Sequence, residues 1–431
     1  MVINMLKKEE ITNKISNGEF DDTFKYLYVT DDVKTQRDRY MSVINGYCEV
    51  FGDTEDVALF SAPGRTEIGG NHTDHQHGCV IAGSVNLDVI AAVSFNNENV
   101  VRIKSKGYDM DEVALDDLDI HTEEYDKAIS LIRGVLKKVS EFGYEIKGFN
   151  AYTESNVMKG SGLSSSAAFE VLIGTIVNNL FAQGKINPVE IAKIGQFAEN
   201  VYYNKPSGLL DQMASSVGAV VAVDFKDNSN PIVRKVDFNL NEYGHSLCII
   251  DSGADHADLT CEYAAVTEEM RLVSKYFGKD YLRDVDKAEF MANLKAVRSA
   301  VNNDRAVLRA IHYFNESDRA VRETEAIEKS DFAEFCKINR ESGRSSFMYL
   351  QNVYASSMPK AQAVSLTLAL CDEILGDKGS YRVHGGGFAG TVQAFVPNDM
   401  VDEFKSKIEA VLGEGMCHIL SIRPVGGYRL V

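Results

Sequence analysis

Gly160-Ser161-Gly162-Leu163-Ser164-Ser165-Ser166-Ala167-Ala168 is the stretch on which the reading of this chain turns. Two glycines and three successive hydroxyls lead into Ala168, Leu172, Ile176 and Leu180, spaced by four, with Val171 and Val177 beside them. That is a wide apolar helical face, and Gly184 is placed to stop it. The loop therefore feeds a helix N-terminus. Glycines there admit an anion close to the backbone, and the free N–H groups and macrodipole favour negative charge. Serine hydroxyls can bond phosphate oxygens or ligate Mg²⁺. The same residues also fit a tight turn with a Ser N-cap and no ligand. No Gly-Lys-Ser/Thr follows at Walker spacing and GxGxxG is absent, so a nucleotide site here is of another type.

Downstream, Asn187-Pro188 reads as a helix start, with Asn as N-cap and Pro in the first position. Ile191, Ile194, Ala198 and Val201 mark one buried stripe. Ala192, Gly195 and Glu199 form a second, whose small residues let Glu199 lie against another element. Asp211 follows in an apolar setting, Leu209-Leu210-Asp211-Gln212-Met213, where a lone Asp is more often an N-cap than a functional group.

Upstream, Ser61 to Gly78 is polar, glycine-dense and turn-like between two strand-like runs. It offers one fixed cation, Arg65, and the hydrogen-bonding groups of Asn71, His72, Asp74, His75 and Gln76. Such a cluster suits polyol recognition, because each hydroxyl wants a donor and an acceptor. His72, Asp74, His75 and His77 also suggest a metal site, but HExxH is absent and no thiol stands at zinc spacing. A plain solvated loop is the third reading.

The rest of the chain sets the frame. It has 431 residues, 45% apolar and 25% charged, an ordinary globular composition. At roughly 150 residues per domain it holds two or three domains. Its net charge of −18 disfavours nucleic acid and anionic membrane as partners, so phosphate chemistry needs a local electropositive pocket. Seven scattered cysteines without a CxxC pair read as reduced thiols in a cytoplasmic protein. The N-terminus lacks the apolar core of a signal peptide. The longest apolar run, Cys79–Phe95, is broken by Asn86 and Asp88, which argues against a membrane span. Strand-like runs and glycine turns fill residues 57–225. Residues 288–376 are helical in pattern, and Thr391–Val396 is strand-like after the turn His384-Gly385-Gly386-Gly387. This interleaving without a strict βαβ period points to an α+β fold. The polar stretch Lys226–Pro231 reads as a connection between domains.

Taken in order, Pro63-Gly64-Arg65, Gly70-Asn71-His72-Thr73-Asp74, the Gly160–Ala168 segment, Leu210-Asp211-Gln212 and Gly385-Gly386-Gly387-Phe388-Ala389-Gly390 resemble the GHMP small-molecule kinases. Within them the Arg65–Asp74 segment resembles the galactokinases. The resemblance implies a ribosomal-protein-S5-like N-terminal domain and a ferredoxin-like C-terminal domain with the active site in the cleft between. The expected division is an extension over 1–24, an N-terminal domain over 25–230 and a C-terminal domain over 231–431. It implies that Gly160, Ser161, Gly162, Leu163, Ser164, Ser165 and Ser166 bind the phosphates of ATP and that Ser166 and Glu199 hold Mg²⁺. Arg65 and Asp211 match the catalytic pair. His72, Asp74 and Tyr263 match sugar-binding positions, Asn71 falls on another, and Gly385 lies in the turn that lines the sugar and phosphate site. The implied reaction is attack of the C1 hydroxyl of galactose on ATP, giving galactose 1-phosphate and ADP. The implied partners are galactose or a related sugar and ATP, with no nucleic acid and no membrane, in a monomer or weak homo-oligomer.

Three positions depart from the pattern. Asn71 stands where galactokinases usually carry a Glu that contacts the C6 end of the sugar, His75 stands for a Tyr, and Asn200 for a His. A missing carboxylate relieves repulsion against a sugar with its own C6 carboxylate, so a galacturonokinase, or another sugar-1-kinase, is the alternative. Such an enzyme wants a cation near Asn71, and none lies between Arg65 and Arg102. A catalytically inactive sugar sensor is a further alternative, against which stand Arg65, Ser166, Glu199 and Asp211.

Overall fold

Runs of Val, Ile and Ala build two sheets in the computed structural model, which describes residues 5–52, 56–158, 162–205, 207–254 and 259–431. The first sheet takes β1 (Ala58–Gly69), β2 (Cys79–Phe95), β3 (Val100–Ser105), β4 (Met110–Ala114), β5 (Phe149–Ser155), β6 (Val220–Asp224) and β7 (Ile232–Val236). The second takes β8 (His245–Asp251), β9 (Ser380–Val383), β10 (Thr391–Pro397) and β11 (Cys417–Leu420), after which β12 (Tyr428–Arg429) returns to the first. The first sheet runs β12-β1-β2-β5-β3-β4, with β6 on β2 and β7 on β6; among the described residues only β3 and β5 pair in parallel. The second runs β11-β8-β10-β9, antiparallel throughout. Helices follow its first and third strands, which is the ferredoxin-like arrangement. The α+β expectation therefore holds.

The alternation of the first sheet sorts its two cores. Phe60 and Ala62 of β1, with Val89, Ala91 and Val93 of β2, face the core under helices Ala128–Glu141, Ser165–Phe181 and Pro188–Phe197. Leu59, Ile90 and Ala92 point the other way, into a cluster with Ile11, Phe24, Leu27, Tyr40 and Ile44 from helices Lys8–Ser16, Asp21–Tyr28 and Val33–Phe51. The N-terminal extension is thus a covering layer of the sheet. At the seam, Asp88 is fully buried. It accepts hydrogen bonds from Tyr28 (2.6 Å), Ser61 (2.5 Å), Arg39 (2.7 Å) and Arg423 (3.2 Å). Burial opposes its ionisation, but the two guanidinium groups outweigh that and hold its carboxyl below the ordinary range.

Several local expectations hold and several move. The helix after the serine loop spans Ser165–Phe181, and Asn187 caps the next by accepting from the Glu190 N–H at 3.0 Å. Residues 288–376 are carried mainly by helices Lys287–Ala292, Leu294–Val301, Asp304–Glu328, Phe332–Ser345 and Ala363–Leu375. Lys226–Pro231 is not a connection between domains but the loop of the β6–β7 hairpin, in which Asp224 pairs with Ile232. Ser61–Gly69 is not turn but strand. It passes Pro63-Gly64 and Glu67–Gly69 through register shifts, which absorb the residues that read as turn formers. Two strands beyond residue 230, β7 and β12, lie in the first sheet, so sheet membership does not follow a single cut there. Among the described residues no helix is long and apolar enough to cross a membrane.

Candidate active site

The register shift in β1 brings Arg65 against the loop before helix Ser165–Phe181. The Arg65 N–H donates to Leu163 O at 2.9 Å. A Cβ on Gly64 would lie 2.8 Å from that same carbonyl, so the approach requires glycine. The Arg65 side chain, nearly buried, donates through Nε to Asp211 Oδ1 at 2.7 Å and pairs through Nη2 with the same oxygen at 2.6 Å. Its Nη1 donates to Gly162 O, and Ser164 Oγ donates to Asp211 Oδ2. Ser164 itself takes a left-handed conformation, φ 58°, which ends the loop and lets Ser165 open the helix.

Asp211 is not an N-cap. It stands inside the first turn of helix Leu210–Val217, whose capping residue, Leu209, supplies no side-chain bond. A guanidinium from a strand 146 residues away takes the carboxylate instead. Burial opposes ionisation of Asp211, but Arg65, helped by Ser164, outweighs it and holds the carboxyl below its ordinary range.

Glu199 lies beside this pair. Helix Pro188–Phe197 passes into one π-helical turn, Ala198–Tyr202. The extra residue shifts the phase, so Val201 is exposed rather than in the buried stripe and Tyr202 turns inward. The Glu199 carboxylate is buried. Its Oε1 faces Ser166 Oγ at 3.3 Å and Lys205 Nζ at 2.7 Å, and its Oε2 accepts from Ser207 Oγ at 2.6 Å and Gln212 Nε2 at 2.8 Å. Gln212 Nε2 also donates to Glu170 Oε2 at 2.9 Å. Burial raises the Glu170 carboxyl well above its ordinary range, assisted by Glu199.

A second cluster adjoins the first. His72 Nε2 donates to Gly386 O at 2.9 Å, and Tyr263, on helix Thr260–Tyr276, donates to Gly387 O at 2.9 Å. Burial pushes the Tyr263 hydroxyl up to about 12. Asn71 is fully buried. Its Nδ2 donates to Gly385 O at 2.7 Å and Glu67 Oε1 at 2.9 Å, and its Oδ1 accepts from Asn352 Nδ2 at 2.9 Å. The glycine turn also touches the serine loop, with Gly162 Cα 3.7 Å from the position of a Cβ on Gly385. Asp74, in the turn Asp74–Gln76, meets the loop before Asp211: a Cβ on Gly208 would fall 1.7 Å from Asp74 Oδ2. Burial pushes the Asp74 carboxyl up to about 6.

Arg65, Gly162, Leu163, Ser164, Ser166, Glu199 and Asp211 therefore meet in one place, and Asn71, His72, Tyr263 and Gly385 meet around the glycine turn, with Asp74 reaching between. Gly160 and Ser161 lie outside the described residues. The metal reading of His72, Asp74, His75 and His77 finds no support, since His72 is bound to the glycine turn and His77 stacks on Tyr281 at 3.7 Å. Among the described residues no group of three or more His, Cys, Asp or Glu is placed to hold a metal. The segment is not a solvated loop either, since Asn71, Thr73 and Gln76 are fully buried. Sequence reasoning missed Lys205, Ser207, Gln212 and Glu170 around Glu199. It also missed His384, whose Nε2 accepts from the Glu67 N–H at 3.3 Å and whose Nδ1 faces Thr391 Oγ1 at 2.9 Å. Gln212 stands next to Asp211 and His384 next to the glycine turn, which was the available signal.

Comparisons with known proteins point the same way. The family model described as GHMP kinases N terminal domain matches residues 130–219, and that described as galactokinase galactose-binding signature matches residues 45–95. A galactokinase of Actinobacillus pleuropneumoniae serotype 3 is 30% identical over 368 residues, covering 83% of this chain and 90% of the relative. A galactokinase of Streptomyces coelicolor is 30% identical over 365 residues, covering 84% and 90%. The crystal structure of Lactococcus lactis galactokinase complexed with galactose superposes with a TM-score of 0.78 at 23% identity, covering 91% of this chain and all of that one.

Proposed function

The chain belongs to the galactokinase family of GHMP kinases, and from that premise we propose that it transfers the γ-phosphoryl group of ATP to the C1 hydroxyl of galactose, giving galactose 1-phosphate and ADP. The observation that carries the reading is the Arg65–Asp211 ion pair, held at 2.6 Å against the serine loop. Phosphoryl transfer needs little covalent help from a protein. It needs an in-line hydroxyl and cations where charge develops. Asp211, kept ionised, orients the C1 hydroxyl and accepts its proton through the lone pair of Oδ2 that Ser164 does not take, since Arg65 fills Oδ1. Arg65, fixed on Asp211 and Gly162 O at the serine loop, is the cation assigned to stabilise charge on the transferring group. The N–H groups at the start of helix Ser165–Phe181 receive the polyphosphate.

Magnesium fits Ser166 and Glu199. Both offer oxygen, the two atoms stand 3.3 Å apart at the helix N-terminus, and a hard cation completes its shell with phosphate and water. When bound there it neutralises charge on the β- and γ-phosphates. In the sugar pocket we assign hydroxyl contacts to Asp74, to His72 through Nδ1 and to Tyr263 through its hydroxyl oxygen, since their Nε2–H and O–H are given to Gly386 O and Gly387 O, while Gly385 lines the wall. Asn71, with its amide committed to Gly385, Glu67 and Asn352, acts by positioning the glycine turn rather than by touching sugar. Arg382 reaches this region from β9 but is bound to Glu67 at 2.5 Å and to Ile68 O at 2.7 Å. That supports a neutral C6 group over a carboxylate. The test is ADP formation with Mg²⁺ATP and a panel of galactose, galacturonate, arabinose and N-acetylgalactosamine. Galactose is expected to give the highest kcat/KM. No sugar-dependent ADP refutes the kinase, and preference for galacturonate moves the reading to that substrate.

A further inference from the structure

The loop from Glu199 to Asp211 carries a cation that the reaction scheme above does not use. Lys205 Nζ lies 2.7 Å from Glu199 Oε1, the oxygen that also faces Ser166 Oγ. The other oxygen of Glu199 is held by Ser207 and by Gln212, and Gln212 is anchored in turn on Glu170. Glu199 therefore turns Oε1, and not Oε2, toward the helix N-terminus. An ammonium and a divalent cation cannot share that oxygen, because like charges a few ångströms apart repel strongly in a partly buried site. The two partners differ in mobility. The Glu199 side chain is 3% exposed and pinned from three sides, whereas that of Lys205 is 56% exposed on a four-carbon stem. The Lys205 N–H donates to Glu199 O at 3.1 Å, so its Cα stays beside the carboxylate wherever the ammonium goes. Among the described residues its ion pair is with Glu199 alone.

We propose that Lys205 is a phosphate-binding residue held on Glu199: without a divalent cation its ammonium is the charge that meets the polyphosphate of the nucleotide, and a divalent cation arriving at Glu199 and Ser166 displaces it and takes over that role. The inference rests on the assignment of the serine loop and Glu199 to the nucleotide and its metal. Lys205 and the metal then exchange one carboxylate oxygen, and metal loading becomes coupled to phosphate binding. Without metal, the ammonium is the cation that neutralises phosphate at this end of the site. With metal, removing the lysine also removes the competitor for Glu199, and the two effects offset.

The test is the affinity of ADP for the full-length protein, with and without Lys205→Met, measured by calorimetry once in EDTA and once in saturating Mg²⁺. Lys205→Met is expected to weaken ADP about 10-fold in EDTA and less than about 3-fold in Mg²⁺. Lys205→Arg, which keeps the charge, should recover most of the EDTA affinity, and circular dichroism checks that the fold is unchanged. A loss in EDTA no larger than the loss in Mg²⁺ overturns the proposal. ADP binding by the unsubstituted protein tests the nucleotide assignment separately, so the two failures are distinguishable.

Discussion

Asp211→Asn isolates the charge at the centre of the site while leaving its shape. In the native pocket Oδ1 receives both Nε and Nη2 of Arg65, at 2.7 and 2.6 Å, and Oδ2 receives Ser164 Oγ. Asn retains Oδ1 as acceptor for the guanidinium. Its Nδ2 donates toward Ser164, whose hydroxyl rotates to accept. The geometry therefore survives, and what disappears is the negative charge that orients the sugar hydroxyl and balances a nearly buried guanidinium. A charge-assisted hydrogen bond exceeds a neutral one by about 1–2 kcal/mol, and proton acceptance by the carboxylate adds about 10²-fold or more. Proton acceptance by itself sets the expected fall in kcat at about 100-fold, equivalent to about 2.7 kcal/mol of barrier, and the weakened hydrogen bonds deepen it. The assay is ADP release at saturating galactose and Mg²⁺ATP, with ADP affinity measured in parallel. The nucleotide constant should stay within about 3-fold, because the phosphate-side N–H groups are untouched. A kcat within about 5-fold of the unsubstituted protein refutes the role given to Asp211.

Other consequences can be measured alongside. Gly208→Ala places a Cβ 1.7 Å from Asp74 Oδ2, so the carboxylate must move; galactose KM should rise about 10-fold with ADP affinity unchanged, and an unaltered KM shows that Asp74 does not touch the sugar. The Asp74 carboxyl, raised to about 6 by burial, is protonated below that pH and ionised above it. Asp211 is held low and stays ionised there. The kcat/KM for galactose should therefore fall as pH drops through 6, and Asp74→Asn should flatten that limb; persistence of the limb in the variant assigns it to another group. The sign for stability is opposite: the contribution of Asp74 to folding is full below about pH 4 and is lost as pH rises through 6. Asp88→Ala leaves the buried Arg423 and the nearly buried Arg39 without their shared carboxylate. It should cost about 3–5 kcal/mol in urea unfolding, and a loss below about 1 kcal/mol shows that the seam relaxes.

The parts of this protein that depend on near neighbours were readable from the chain. A four-residue apolar spacing places the helix after Ser164, Asn187-Pro188 starts the next, and β-branched runs mark β2 and β10, because helical faces and caps are set within a few residues. That the glycine-serine loop and the polar segment before it are candidates for phosphate and sugar was readable for the same reason. Long-range partners were not. Asp211 looks locally like a cap, and it becomes the partner of Arg65 only because register shifts in β1 aim a side chain at a helix 146 residues on. Ser61–Gly69 carries turn residues, yet pairing with β2 holds it as strand. Asn71 reads as a sugar contact, and nothing near it in the chain shows that Gly385 and Asn352, more than 280 residues away, take up its amide. Lys205 has no local signature at all; a π-helical turn brings its loop back onto Glu199. Periodicity and capping are written in adjacent residues, whereas the pairing of buried charges is settled by sheet register and by the cost of leaving any of them alone in the interior.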